Sequence, residues 1–105
     1  DTGKRPLMGA AVAAVADRAI VTSDNPRNEE PAHIIADILS GMPPGQEAMV
    51  DRRAAIRAAI LDAGPEDIVL VAGKGHEDYQ VIGTNRQPYS DLAQVRAALS
   101  ERGRR

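Results

Sequence analysis

The chain has 105 residues, which is one domain of common size, and only 2 % of them are aromatic, so its core must be aliphatic. Lys and Arg number 13 against 15 Asp and Glu, a net charge of −2 that argues against a general nucleic-acid binder. The lack of Cys excludes disulfides and thiolate metal sites, and no apolar run reaches the roughly 18–20 residues that cross a membrane.

The first half of the sequence alternates helical and strand patterns. Residues 6–17 are predicted to form a helix with one apolar face, which comprises Leu7, Met8, Ala11, Val12, Val15 and Ala16. Residues 19–22 follow as a short β-branched strand, and residues 23–30 as a polar loop. A second helix is predicted from Pro31 to about Gly41, with a buried stripe of Ile34, Ile35, Ile38 and Leu39.

The alternation continues through the second half. After a turn at residues 43–45, residues 47–50 predict a short strand. Asp51 is then expected to cap a third helix that ends at residues 64–65, with Ile56, Ala59 and Ile60 facing inward. Residues 68–72 read Ile-Val-Leu-Val-Ala, an unbroken apolar run that predicts a strand buried on both faces.

The last third contains a Gly-rich loop, a hairpin pattern and a final helix. Residues 79–82 and the stretch from Arg86 onward, joined by Gly83-Thr84-Asn85, favour a β-hairpin or a small irregular excursion. Ser90 is expected to cap a helix that bears Leu92, Val95 and Leu99 and closes at Gly103. Strands alternating with helices indicate right-handed crossovers, so residues 1–105 predict a three-layer, Rossmann-like α/β domain with a mainly parallel sheet.

Two polar loops follow predicted strands, at residues 24–27 and 73–77, and parallel strands place both at one edge of the sheet. Asp24 and Glu77 can accept hydrogen bonds from an ammonium group. Asn25 can donate and accept, and the guanidinium of Arg27 matches a carboxylate in a bidentate pair. These groups suit an amino acid, although Asp-Asn-Pro with Pro26 is also an ordinary turn before a helix.

The remaining polar residues near these loops each have a structural and a functional interpretation. Gly73 allows the backbone to turn and to approach a ligand, but the loop lacks the Walker spacing of a phosphate-binding loop. Lys74 is interpreted as a solvated loop charge or a ligand contact. His76 is interpreted as a structural hydrogen-bonding residue or a ligand contact. Ser90 is a helix cap near the sheet edge, and Lys4 is a surface charge that could meet an anion. No grouping of His, Asp and Glu has convincing metal-ligand spacing.

Taken together, these stretches resemble the C-terminal domain of the Mur ligases. The likeness runs in the expected order through residues 3–8, 22–27, 51–52, 71–77, 79–80 and 89–91, and the tetrapeptide Asp-Asn-Pro-Arg is its most specific part. The nearest branch of the family adds meso-diaminopimelate to UDP-MurNAc-L-Ala-D-Glu in peptidoglycan synthesis. The resemblance implies that Arg27 binds the distal carboxylate of diaminopimelate and that Asn25 holds the same end. It also implies that the Gly73 backbone and the Glu77 carboxylate hold the amino acid's polar groups, and it assigns no catalytic base or metal ligand.

The resemblance further implies partners outside these residues. In the family a Gly-Asp-Arg-Asp segment with a substrate-binding arginine, and a strand ahead of it, precede the position of Asp1. ATP and Mg²⁺ are bound mainly by a central domain, and the UDP-linked dipeptide involves a nucleotide-sugar domain. The expected role is to orient the amine of diaminopimelate and to close over the ATP site of a bacterial, cytoplasmic ligase. Residues 1–105 alone are therefore expected to lack ligase activity.

Two other functions stay open at this point. The first is a Mur ligase for another amino acid such as L-lysine, against which Arg27 argues. The second is a non-catalytic α/β module such as a receiver domain, which needs a phosphorylatable Asp at a strand end. Asp51 is the only candidate, and it is better explained as a helix cap.

Overall fold

The computed structural model describes residues 2–25, 28–74 and 77–104. After a short 3-10 turn at Thr2–Lys4, its elements are α1 (Arg5–Val15), β1 (Ile20–Thr22), α2 (Pro31–Leu39), β2 (Glu47–Met49), α3 (Arg52–Asp62), β3 (Tyr79–Ile82), β4 (Asn85–Pro88) and α4 (Asp91–Gly103). All four predicted helices are present. None of the described helices is long and apolar enough to cross a membrane.

Side-chain caps begin the two C-terminal helices, as their sequences predict. The carboxylate of Asp51 accepts hydrogen bonds from the backbone N–H groups of Arg53 at 3.0 Å and Ala54 at 3.4 Å. At the start of α4, the hydroxyl of Ser90 accepts one from the N–H of Ala93 at 3.2 Å. Each bond satisfies donors that the first turn of a helix leaves without an intrahelical partner.

Strand pairing produces one parallel pair and one hairpin. β1 and β2 run parallel, from Ile20 opposite Glu47 to Thr22 opposite Met49, with α2 in the crossover between them. β3 and β4 pair antiparallel, as the hairpin pattern predicts, and Gly83 in their turn has φ +63°, a left-handed conformation that favours glycine. α2 and α3 both contact β1, so two helices pack against this strand.

Residues 68–72 differ from their prediction. They form no strand ladder with any residue that the structure describes, and Ile68 and Leu70 are 95 % and 85 % exposed. Val71, which points the other way, packs against a core cluster of Ile56, Ile60 and Ala98 from α3 and α4. The prediction of a strand buried on both faces is therefore wrong, because only one side of this segment meets the α3–α4 core.

The apolar face of α1 does not pack into the core. Its large apolar side chains are exposed, with Leu7 at 68 % and Val15 at 85 %. α1 instead packs on α2 and the turn that follows it through glycines, since an added Cβ at Gly9 would lie 2.2 Å from the carbonyl oxygen of Ile38. At Gly41 an added Cβ would lie only 1.8 Å from the carbonyl oxygen of Pro6. Close backbone contact thus decides which face of α1 is buried, and the apolar stripe points elsewhere.

Burial of the other helical stripes agrees in part with the sequence. Ile35, Ile56 and Ile60 are buried, as predicted. On α4, Val95 packs against the core cluster, whereas Leu92 and Leu99 are exposed and Ala98 takes the buried position. Side-chain size did not indicate the inward side of this helix, because α4 meets α3 at a small residue.

Candidate amino-acid-binding site

The predicted meeting of the two polar loops is present in the structure. Asp24 and Asn25 follow β1, and Gly73 ends the 68–73 segment. The ammonium of Lys74 lies 2.8 Å from Oδ1 of Asp24 and donates to Oδ1 of Asn25 at 3.1 Å, so the loops touch. Three predicted site residues, Pro26, Arg27 and His76, lie outside the described residues.

Lys74 is not the solvated charge that one interpretation of the loop predicted. Its side chain is 0 % exposed, and its ammonium also donates to the carbonyl oxygen of Tyr79 at 2.7 Å. A charge removed from water is costly unless it is paired and hydrogen-bonded. Here a carboxylate, a side-chain amide and a backbone carbonyl supply that compensation.

The loop after β1 is also tied to the hairpin. Oδ1 of Asn25 accepts a second hydrogen bond, from the backbone N–H of Val81 at 2.9 Å. The side-chain amide of Gln80 donates to the carbonyl oxygen of Asp24 at 2.9 Å. The oxygen of Asn25 is therefore engaged within the protein, and its amide nitrogen is the group that can donate to a ligand.

A buried guanidinium, Arg52, connects the ends of both segments to α4. It bonds the carboxylate of Asp91 through two nitrogens at 2.8 and 2.7 Å. It also donates to the carbonyl oxygens of Ser23 at 3.2 Å and Ala72 at 3.0 Å. Burial on its own would raise the pKa of Asp91, but the hydrogen bonds and charge of Arg52 outweigh it and hold that pKa below its usual range.

Sequence reasoning did not assign Arg52 or Asp91 to the site, yet a signal was present. Arg52 lies four and eight residues before Ile56 and Ile60, on the stripe predicted to face inward. Arg52 is only 4 % exposed, and a charged residue on a buried stripe requires a partner. That partner had to come from a distant segment, which the periodicity of one helix does not reveal.

The loop that begins at Gly73 has the backbone and side-chain features that were predicted for ligand contact. Gly73 has φ +111°, a left-handed conformation that L side chains rarely adopt. Oε2 of Glu77 accepts a hydrogen bond from the hydroxyl of Tyr79 at 3.0 Å, which orients the carboxylate. The guanidinium of Arg86 lies 3.7 Å from the centre of the Tyr79 ring and covers that side of the hairpin.

The side chains of the other two predicted residues form no hydrogen bond to these loops within the described part of the chain. Lys4 is exposed at the start of α1, and no contact in the described part of the chain joins it to either loop. The hydroxyl of Ser90 is used as the cap of α4, which is the structural role foreseen for it.

One acidic cluster lies elsewhere and was not foreseen. Ligand atoms of Glu29, His33 and Asp37 all lie within 4.8 Å of one another. The guanidinium of Arg5 donates to Glu29 at 2.7 and 2.9 Å and to Asp37 at 3.0 Å. Both carboxylates therefore already have a cationic partner from the protein, and the cluster functions as an ion-pair junction between α1 and α2.

A parallel strand pair between helices, with one polar loop at the end of β1 and a second polar loop against it, is the arrangement in which open α/β domains commonly bind ligands. Residues 1–75 match the family model described as "Mur ligase, glutamate ligase domain", and the chain belongs to this family.

Similar proteins extend the match over nearly the whole chain. The UDP-N-acetylmuramoyl-L-alanyl-D-glutamate–2,6-diaminopimelate ligase of Synechococcus elongatus is 57 % identical over 97 % of this chain and 21 % of that protein. The ligase of the same name from an Acidovorax species is 58 % identical, over 98 % of this chain and 21 % of the relative. A solved structure of a ligase with this name matches with a TM-score of 0.91 and 43 % identity, covering 98 % of this chain and 22 % of that one. The chain thus spans about a fifth of the length of these relatives, and its α/β, Rossmann-like fold is theirs.

Proposed function

We propose that this chain is the diaminopimelate-binding domain of a longer, ATP-dependent amide-forming ligase. The whole enzyme would join meso-diaminopimelate to UDP-MurNAc-L-Ala-D-Glu during peptidoglycan synthesis in the bacterial cytoplasm. The observation that carries this proposal is 57 % identity, over 97 % of the chain, to a relative named for that substrate pair. The tetrapeptide at residues 24–27, which carries the diaminopimelate-specific arginine of the resemblance, supports it independently.

The rest of the enzyme is proposed to lie outside residues 1–105. It would include a strand ahead of α1, a nucleotide-sugar domain and a central domain. Support comes from the exposed apolar side chains of α1 and of residues 68–70, which a longer chain could cover.

The described residues do not fit a site for ATP or Mg²⁺. The loop at residues 73–77 lacks Walker spacing, and the carboxylates of Glu29 and Asp37 are held by Arg5. We therefore assign both groups to the central domain and derive no step through them. Residues 1–105 alone are expected to release no ADP from ATP.

The amino acid is proposed to bind in the crevice between the two loops. Asp24 keeps one carboxylate oxygen outside the ion pair with Lys74, and the Glu77 carboxylate is oriented by Tyr79. Both carboxylates can therefore accept hydrogen bonds from the ammonium group of the amino acid. The amide nitrogen of Asn25 and the backbone of Gly73 offer hydrogen bonds from either side. Arg27, on the evidence of the sequence, supplies the fork for the distal carboxylate.

The chemical contribution of these residues is positional. They would hold the attacking amine in one orientation relative to the activated γ-carboxylate of D-glutamate, which removes entropy from the step. Closure of the domain would exclude water, which competes with the amine for an activated carboxyl group. None of the described residues is assigned as the base.

Selectivity against L-lysine follows from the second carboxylate. L-lysine would leave the guanidinium of Arg27 unpaired. Sites that bind a polar group of the substrate reject an analogue lacking that group by a factor on the order of 10⁴–10⁵ in kcat/KM. In the full-length ligase, Arg27→Ala should therefore raise the KM for diaminopimelate strongly while the KM for ATP stays within about twofold. Steady-state ADP release measures both constants.

Arg96→Ala is the matched control, since Arg96 is exposed on α4 away from both loops. An equal rise in both KM values would contradict the assigned role of Arg27. Turnover with L-lysine in place of diaminopimelate would favour the lysine-adding alternative. A full-length protein that uses neither amino acid would favour a non-catalytic binding module.

A further inference from the structure

Both tyrosines of this chain flank the buried side chain of Lys74. The sequence has 2 Tyr, and no Trp or Phe, so these are its only aromatic side chains. The ammonium lies 6.0 Å from the ring centre of Tyr79 and 5.4 Å from that of Tyr89, within the range of cation–π attraction. Burial raises the pKa of the Tyr89 hydroxyl, so this ring stays uncharged beside the cation.

The oxygens around Lys74 come from separate parts of the chain. Asp24 and Asn25 follow β1, whereas the Tyr79 carbonyl belongs to the start of β3, and Lys74 itself follows the 68–73 segment. Two of these oxygens, from Asn25 and Tyr79, accept hydrogen bonds from the ammonium, and the Asp24 carboxylate lies beside it as its counter-charge. Because its side chain is 0 % exposed, the ammonium of Lys74 faces these internal partners and not the solvent.

We propose that Lys74 is a positioning residue for amino-acid recognition: it fixes the loop of Asp24 and Asn25 relative to the loop of Gly73 and Glu77. The inference rests on the proposed function, because it assigns Lys74 an effect on diaminopimelate binding. That effect is indirect, through residues that could touch the amino acid.

The geometry explains why an ammonium is needed at this place. Without it, Oδ1 of Asn25 and the carbonyl oxygen of Tyr79 lose a donor inside the protein, and the Asp24 carboxylate loses its counter-charge. Oδ1 of Asn25 would keep only the Val81 N–H, and a carboxylate without a counter-charge is costly away from water, so the loop would turn toward solvent. Residues 26 and 27 follow Asn25 directly, so a shift of Asn25 moves the start of the segment that carries Arg27.

The test uses the full-length ligase with Lys74→Met, which keeps a long unbranched side chain and removes all three protons. We expect the KM for diaminopimelate to rise at least tenfold, while the KM for ATP stays within about twofold. The preference for diaminopimelate over L-lysine should fall as well. A residue that only stabilised the fold would lower the amount of active enzyme without this split between the two KM values.

Gln80→Met provides a second variant in case Lys74→Met does not fold. It removes only the bond from Gln80 to the Asp24 carbonyl, at a partly buried position without charge, and should raise the KM for diaminopimelate a few-fold. Arg96→Met is the control and should change neither KM.

The outcomes separate this inference from the proposed function. Suppose that the wild-type ligase releases ADP in response to diaminopimelate, but both variants leave the KM for diaminopimelate unchanged or change it as much as the KM for ATP. The role of Lys74 is then overturned, and the proposed function stands. A wild-type ligase without any diaminopimelate-dependent ADP release overturns the proposed function, and this inference with it.

Discussion

The ends of β1 and of residues 68–73 differ in kind from the outer face of α1. At the ends of these two segments, Arg52 and Lys74 are buried and donate hydrogen bonds to acceptors from four separate parts of the chain. Along α1 and residues 68–70, large aliphatic side chains are exposed. The domain thus specifies its loops by charged hydrogen bonds, whereas much of its apolar surface contributes little to its own core.

The largest expected effect comes from removing the buried guanidinium. Arg52→Met leaves the Asp91 carboxylate without a counter-charge and two backbone carbonyls without a donor. Breaking a buried pair by removing one partner typically costs about 3–5 kcal/mol, and we expect a loss of this size. Urea unfolding of the chain, followed by circular dichroism, measures it.

The neighbouring exposed position supplies the control for Arg52. The exposed side chain of Arg53 places its guanidinium 5.7 Å from the centre of the Tyr89 ring, so Arg53→Met should cost no more than about 1 kcal/mol. Equal losses for the two variants would remove the contrast between the buried and exposed sides of α3.

A smaller loss is expected where α1 meets the turn after α2. In Gly41→Ala the new Cβ would lie 1.8 Å from the Pro6 carbonyl oxygen, so the backbones must separate. Overpacking of this kind costs about 1–3 kcal/mol, occasionally more. The same urea experiment measures the change.

Gly45 is unsuited as the control because its φ of +86° would strain any side chain, whereas Gly103 has open space around it. Gly103→Ala should therefore be close to neutral. A Gly41→Ala variant as stable as wild type would mean that α1 does not pack as described.

The pH dependence of stability tests the Arg52–Asp91 ion pair without a substitution. Because the pKa of Asp91 is lowered on folding, its contribution is fully present above the unfolded-state pKa, about 3.9 for Asp. It is lost as the pH falls below that value and through the folded pKa. Protonation leaves Arg52 in place with its two carbonyl partners, so this loss should be smaller than that in Arg52→Met.

Thermal unfolding between pH 6 and pH 3 measures this effect for wild type and Asp91→Asn. The variant should lose less stability over the same interval, because its side chain does not titrate. Identical slopes for the two proteins would show that Asp91 does not contribute to acid unfolding.

The smallest effect is expected on the outer face of α1. Val15 is 85 % exposed, so Val15→Ser should change the free energy of unfolding of this chain by about 0.5 kcal/mol or less. In the full-length ligase the same change should cost more if the proposed additional domains cover this face. Equal and small effects in both would argue that α1 stays exposed in the whole enzyme.

Features set by neighbouring residues could be read from the sequence. The caps Asp51 and Ser90 and the hairpin turn at Gly83 follow from short-range rules, and the structure confirms them. The alternation of helices and strands likewise predicted the parallel pair of β1 and β2.

Features that depend on residues far apart in the chain could not be predicted from the sequence. The sequence of α1 shows which side chains are apolar, but the close backbone contacts between α1 and the α2 region at Gly9 and Gly41 decide which face is buried. The burial of Lys74 depends on Asn25, 49 residues earlier in the sequence, and that of Arg52 on Asp91, 39 residues later. The roles proposed for Arg27, Asp24 and Glu77 in ligand binding stay predictions from the resemblance.

Oδ1 of Asn25 accepts two hydrogen bonds, and this fixes which kind of ligand group the amide nitrogen can contact. Rotating the amide by half a turn would set its NH₂ against both the Lys74 ammonium and the Val81 N–H, which are donors. That orientation is excluded, so the nitrogen always faces away from these two groups. Any ligand group that reaches it must accept a hydrogen bond, and an ammonium arriving there is turned away. At the proposed site, Asn25 would therefore favour a carboxylate over an ammonium group.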